Sequence, residues 1–259
     1  MAIGTNPISE QLSVQVIGGP TAFIEYGGLR FLTDPTFDEP GHYPRPDGRP
    51  GLTKTAPASA KPADLGRVDA VLLSHDEHPD NLDNSGRELL ADVPLTLTTP
   101  SGAGRLGGTA KGLGTWETVE LTRPDGGAVT VTGAPALHGP EGAEKVTGDV
   151  VGFVLTAQDL PTVYVSGDNA SLDAVRQVAD RFGPVDTAVL FAGAPRLQPV
   201  FDGALLVLDS ALAVEAAEIL GARAVVPVHV DSWQHFTESR DDVVAAFTAA
   251  GLADRLRLG

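Results

Sequence analysis

Residues 70–83 read AVLLSHDEHPDNLD. Four apolar residues in a row, too few for a helix, predict a short buried strand over 69–73. The strand runs straight into Ser74-His75, and within six positions the chain offers His75, His78 and Asp80. A single histidine after a strand is ordinarily a structural residue. Two histidines and a carboxylate in one short loop are the nitrogen and oxygen donors that a divalent metal takes. Farther along, residues 224–229 read AVVPVH, a second buried strand that delivers His229 at its C-terminal end. This echo fits an old duplication, or simply two strands of one type. His138 follows a strand expected near 129–131, and Asp168 follows YVSG. Strand ends that project into one crevice are where α/β folds place ligands.

Around these points the first half of the chain is mostly strands. Apolar runs at 12–17, 21–26 and 29–33 are separated by Gly18-Gly19-Pro20 and by Gly27-Gly28, which predicts an antiparallel meander. Residues 35–62 carry Pro, Gly and polar groups without a period and read as a long loop, the kind that is functional or mobile. A helix is expected over 82–90, and strands over 95–98, 118–121, 129–131, 150–155 and 162–165. The second half alternates. A helix over 171–182 starts on Ser171 as N-cap, with Asp173 in its first turn. A strand over 188–191 follows, then a helix over 208–220 closed by Gly221, the strand at 224–228, and a helix over 240–250 closed by Gly251. Strands first and alternation later predict an α/β sandwich in one domain over 1–259, not a doubly wound sheet.

Composition narrows the chemistry. The 259 residues contain no cysteine, which removes disulfides, thiolate zinc sites and cysteine nucleophiles together. Any metal must be held by nitrogen and oxygen, a donor set that suits zinc, manganese or iron. Lys and Arg number 18 against 34 Asp and Glu, a net charge of −16, with no basic cluster. Neither a nucleic acid nor an anionic membrane is an expected partner; a small-molecule substrate is. No apolar run reaches the ~18 residues that would span a bilayer. The N-terminus, MAIGTNPISEQ, lacks the pattern of a secretory signal, so a cytoplasmic protein is expected.

The marks FLTDP (31–35), VLLSHDEHPDNLD (71–83), PALH (135–138), YVSGDN (164–169) and VPVHVDSW (226–233) have an order and spacing that resemble the metallo-β-lactamase superfamily. Within it, the chain looks most like the lactonase-like hydrolases typified by the ascorbate-phosphate lactonases. The resemblance implies a four-layer αββα sandwich and a metal-dependent hydrolase with one or two divalent ions, zinc first, manganese or iron as alternatives. The family's loop is H-x-H-x-D-H. Here two residues, not one, separate the histidines, and Asn81 stands in place of the last histidine. An ungapped alignment would put Asp76 at the first position; His75 is preferred because it directly continues the strand. Carried over residue by residue, His75, His78 and His138 would hold one ion. Asp80 and His229 would hold a second, with Asp168 bridging. An amide is a weaker donor to zinc than imidazole. Asn81 is therefore a weak ligand at best, and the second site is expected to be weak, manganese-like or empty.

Such a centre has a definite chemistry. A bound divalent ion can lower the pKa of water from about 15.7 to about 7. The metal-bound hydroxide would attack a lactone, ester, amide or phosphoester while the ion stabilises charge on the electrophilic oxygen. Asp80 is the expected catalytic carboxylate, orienting the hydroxide and shuttling a proton to the leaving group. Asp34, in TDP, is expected behind the ligands or as a turn starter. Trp233 and His235 are candidates for the substrate pocket, with plain packing as the alternative. His42 and Tyr43 would form a lid over it or lie in an exposed segment, and Glu77 reads as a solvated turn carboxylate. The pocket walls are expected on loops 35–62 and 192–204. Gly102, Gly104 and Gly107 spell G-x-G-x-x-G without a surrounding βαβ unit and read as a loop near a helix start. No phosphate-binding P-loop and no G-x-S-x-G elbow is present. Two other readings stand beside the hydrolase: a metal-binding protein of the same fold with a degenerate or redox site, and an α/β domain with incidental histidines.

Overall fold

The computed structural model describes residues 7–9, 11–45, 48, 51–196 and 200–258. The start of the N-terminal stretch, positions 46, 47, 49 and 50 of the first expected pocket loop and 197–199 of the second lie outside the described residues. The expected meander forms. β1 (Pro7–Ser9), β2 (Leu12–Gly18), β3 (Thr21–Tyr26) and β4 (Leu29–Thr33) pair antiparallel in sequence. A separate hairpin, β5 (Gly41–Tyr43) and β6 (Leu52–Lys54), folds within the long loop. Then β7 (Ala70–Leu72) lies parallel to β4, followed by parallel β8 (Thr96–Thr98) and β9 (Ala110–Gly112), which completes a seven-stranded sheet among the described residues.

The second sheet repeats this plan. β10 (Thr118–Thr122), β11 (Ala128–Pro135), β12 (Val151–Ala157) and β13 (Val163–Val165) are antiparallel neighbours. β14 (Thr187–Phe191) and β15 (Ala224–Val228) continue in parallel. Successive strand residues point to opposite faces, and apolar side chains occupy both. Leu12, Val14, Ile24, Tyr26, Phe31 and Leu72 of the first sheet share one core with Val131, Phe153, Leu155, Val165, Phe191 and Val228 of the second. The alternate residues face outward: Ile17, Phe23, Leu32, Val71 and Leu73 form one outer cluster, Val154, Tyr164, Leu190 and Val225 another.

Helices cover those outer faces. α1 (Asn84–Leu89) and α2 (Pro100–Leu106) lie in the first half; α3 (Glu144–Thr147) is a single turn; α4 (Leu172–Phe182), α5 (Ser210–Ile219) and α6 (Arg240–Ala249) follow. Val175, Val178, Ala213, Ala217, Val243 and Phe247 of the last three pack on the second sheet. The result is helix, sheet, sheet, helix: the expected four-layer sandwich. At roughly 1.5–3 kcal/mol for each fully buried Val, Leu or Phe side chain, the layer between the sheets is what holds their strand ends in register across the site. The caps follow the sequence. Ser171 accepts from the amide of Ala174, and Asp209 from that of Leu212. The glycine pattern at 102–107 is α2 itself. Thr99 caps it, Pro100 sits in its first turn, and Gly107, at φ 62°, ends it.

Candidate metal centre

His75 leaves the end of β7 and is completely buried. Its Nε2 lies 2.8 Å from Nδ1 of His78, and the same Nδ1 lies 3.3 Å from Nε2 of His138, which follows β11. On the far side of His138, Nδ1 lies 2.8 Å from the carbonyl oxygen of Leu206. A carbonyl can only accept, so Nδ1 carries the proton and Nε2 offers a lone pair. Burial, then repulsion from His78 and His138, pushes the pKa of His75 well below the usual histidine value. Burial, then His138, takes His78 down to about 4. Both are therefore neutral at pH 7, the form that ligates. Metal–nitrogen bonds of about 2.0–2.1 Å at a tetrahedral centre put neighbouring donors about 3.3 Å apart. Two of the three spacings, 2.8 and 3.3 Å, lie near that value, and all three nitrogens lie within 4.8 Å of one another.

A second group adjoins the first. Asp168 follows β13, with Oδ2 3.6 Å from His138 Nε2 and Oδ1 3.2 Å from His229 Nδ1. Asp80 Oδ2 lies 3.4 Å from His229 Nε2 and 3.0 Å from His235 Nε2. Burial opposes the charge on Asp80, yet His235 and His229 outweigh it and hold the carboxyl well below its usual range. For His229, burial favours the neutral ring, but Asp168 and Asp80 outweigh it and raise its pKa. Asp34 lies behind the loop. Its Oδ1 accepts from the Ser74 amide at 2.6 Å, and burial followed by Asp168 drives its pKa well up. Among the described residues, Asp80 Oδ1 and both ring nitrogens of His229 are buried without a hydrogen-bond partner. Buried carboxylates beside converging imidazoles are costly without a cation and suit one well.

Asp76 and His75 leave the loop in opposite directions. The Asp76 carboxylate turns away from the site and accepts from Arg105 Nε at 3.1 Å and Nη2 at 2.5 Å, while His75 enters the cluster. The loop's other end is pinned by Asp83. This carboxylate caps α1 through the Gly86 amide, accepts from the Asp38 amide at 2.6 Å, and pairs with Lys54 Nζ at 3.1 Å. Two glycines let the strand ends close. A Cβ on Gly167, at φ 58°, would meet Ser74 Cβ at 2.8 Å, so only glycine lets Asp168 approach the His75 loop. A Cβ on Gly193 would collide with the His229 carbonyl and meet Phe236 Cγ at 2.9 Å. His229 itself is left-handed at φ 58°, and its amide donates to the Gly19 carbonyl at 2.6 Å. Non-glycine residues in that region concentrate at functional sites.

His75, His78, Asp80, His138, Asp168, His229 and Asp34 are thus brought together. Asn81 is adjacent and buried; its amide nitrogen donates to Asp168 Oδ1 at 3.1 Å, and its Oδ1 has no hydrogen-bond partner among the described residues. His235 reaches Asp80. Trp233 is 3% exposed and packs between Tyr43 and Lys54, which fits the plain packing alternative. His42 is not brought to the site. It is exposed on β5, with Nδ1 3.1 Å from the Thr53 hydroxyl. Glu77 is not simply solvated; it pairs with Arg105. The mouth over the ligands is a cavity of about 30 Å³, lined by Arg45, Leu52, Pro195 and Leu206 together with His78, Asp80, His138, Asp168 and His235. Sequence reasoning did not single out Arg45, Arg105 or the Leu206 carbonyl. A backbone acceptor 68 residues from its histidine leaves no mark in the chain.

Residues 29–230 match the family model described as the beta-lactamase superfamily domain. The chain belongs to that family. A metal-dependent hydrolase of Pyrococcus abyssi is 28% identical over 226 residues, 86% of each chain. One of Methanosphaerula palustris is 28% identical over 180 residues, 67% of this chain and 73% of the other. Among solved structures, the fold matches an isothiocyanate hydrolase from Delia radicum gut bacteria, with a TM-score of 0.78 at 22% identity over 94% of both chains. It also matches a possible metal-dependent hydrolase of Veillonella parvula, with a TM-score of 0.81 at 17% identity over 97% of both. The fold is that of the metallo-β-lactamases, and the chain stands among the metal-dependent hydrolases of this family. Among the described residues, no helix is long and apolar enough to cross a membrane.

Proposed function

We propose that this chain is a cytoplasmic hydrolase of a small lactone, ester, amide or phosphoester, working with one or two divalent ions, zinc first and manganese or iron as alternatives. The observation that supports it most is the convergence of the imidazole nitrogens of buried His75 and His138 and half-buried His78 beside Asp80 and Asp168, under one mouth. His75, His78 and His138 would hold the first ion; Asp80, Asp168 and His229 stand ready for a second. A divalent ion held there would acidify water and polarise the electrophilic oxygen. Ser74 Oγ lies 3.0 Å from Nδ1 of His75 and fixes that ring; the Leu206 carbonyl fixes His138. Asp80, at the mouth, can orient the attacking water and carry its proton to the leaving group. Leu52, Pro195 and Leu206 give the mouth an apolar wall beside that carboxylate.

The test is turnover of a panel of lactones, esters, amides and phosphoesters by the protein as purified, stripped with a chelator, and reloaded. Hydrolysis that disappears on stripping and returns with zinc, manganese or iron is expected. A reloaded protein that binds its ions and turns over nothing on the panel favours the binding-only reading, which the amide contact of Asn81 to Asp168 supports.

A further inference from the structure

We propose that His235 replaces the histidine that Asn81 displaces, so that Asp80, His229 and His235 form the second metal site beside Asp168. This inference rests on the metal-dependent reading above. Asn81 cannot supply the missing nitrogen: its amide nitrogen is spent on Asp168, and an amide nitrogen has no lone pair to give. The loop after β15 brings another imidazole to the same place. His229, at φ 58°, and Ser232, at φ 70°, turn the chain back over the site, so that His235 lies opposite the 75–83 loop.

The two distances from Asp80 suit a shared ion. Asp80 Oδ2 is 3.0 Å from His235 Nε2 and 3.4 Å from His229 Nε2, on either side of the roughly 3.3 Å expected between tetrahedral donors. Phe236 braces both rings, with centroids 4.4 Å from His229 and 4.6 Å from His235. The side chain of His235 is only 13% exposed and opens onto the mouth. Asp80 Oδ1 and His229 Nε2 are buried and lack any hydrogen-bond partner among the described residues. A histidine serving only to tether Asp80 would not explain why these atoms stay unsatisfied.

Metal-free protein is titrated with cobalt(II), following the visible d–d absorption and the heat of binding. The parent should take two ions. His235→Ala and His235→Gln should leave the first ion within about twofold and weaken the second by at least about tenfold, since even lost partners of ligands cost about 10–100-fold. Glutamine separates the alternatives, because it can still donate to Asp80 but offers no imidazole nitrogen. Adding Asn81→His to His235→Ala should restore the second ion. Circular dichroism checks that each variant is folded. A second ion held by His235→Gln as tightly as by the parent overturns the proposal, as does a parent that takes one ion only. In both of those cases the first ion still binds, so the hydrolase reading survives; a parent that takes no ion overturns both.

Discussion

Lys54→Met should cost this protein several kcal/mol although residue 54 touches no candidate ligand. Lys54 and Asp83 are 1% and 0% exposed at their side chains, and Nζ lies 3.1 Å from Oδ2. At an effective dielectric of about 20, that separation is worth about 5 kcal/mol of attraction. Methionine preserves the length of the chain but leaves the Asp83 carboxylate buried without its cation, a situation that costs about 3–5 kcal/mol. For a chain of this size that is a fall of about 6–20 °C in Tm. The same carboxylate caps α1 and receives the Asp38 amide, so the loop carrying His78 and Asp80 should loosen before the core melts. The assay is urea and thermal unfolding of the parent, Lys54→Met, Asp83→Asn and the double variant. Asparagine caps helices as well as aspartate, so Asp83→Asn with Lys54→Met should recover most of the loss. A Lys54→Met variant within about 0.5 kcal/mol of the parent, the range of an ordinary surface change, would refute the reasoning.

Asp80→Asn keeps shape and removes charge, so the three-histidine ion should remain while turnover of the best substrate falls about 10²–10⁴-fold; parental turnover with metal intact would count against the assigned role. The metal-free protein should lose stability on acidification. His75 and His78 have folded pKa values below the unfolded 6.5, His78 at about 4, so the unfolded chain binds more protons between these values. The loss should therefore set in below pH 6.5, with the share of His78 complete near pH 4, and chemical denaturation across that range measures it. Gly193→Ala should destabilise strongly, because its methyl meets the His229 carbonyl, and should loosen metal binding with it; an unchanged melting curve would refute the close approach.

The strands were legible because both faces of each sheet are buried by apolar residues and turn glycines mark their ends. His75 was legible for the same reason, since it follows the last residue of β7 by three positions, and its neighbour Asp76 is held away by Arg105. The β5–β6 hairpin was hidden in a Pro- and Gly-rich segment whose pairing is only three residues long. α2 was hidden by two glycines within it, Gly102 and Gly104, that lower helix propensity, and it forms because Thr99 and Pro100 start it. The position of His235 depends on left-handed residues at 229 and 232, a tertiary decision that no local pattern announces. His42 illustrates the reverse case, a histidine in a plausible loop that folds away from the site.

The central claim is that His75, His78 and His138 hold an ion. Elemental analysis of untagged protein, as purified and after exposure to zinc, manganese and iron, tests it most directly when run beside His138→Ala and the exposed control His42→Ala. At least one ion per chain in the parent and in the control, with most of it gone from His138→Ala, is the expected result. A parent that retains no ion, or a His138→Ala variant that keeps the parental content, would contradict it.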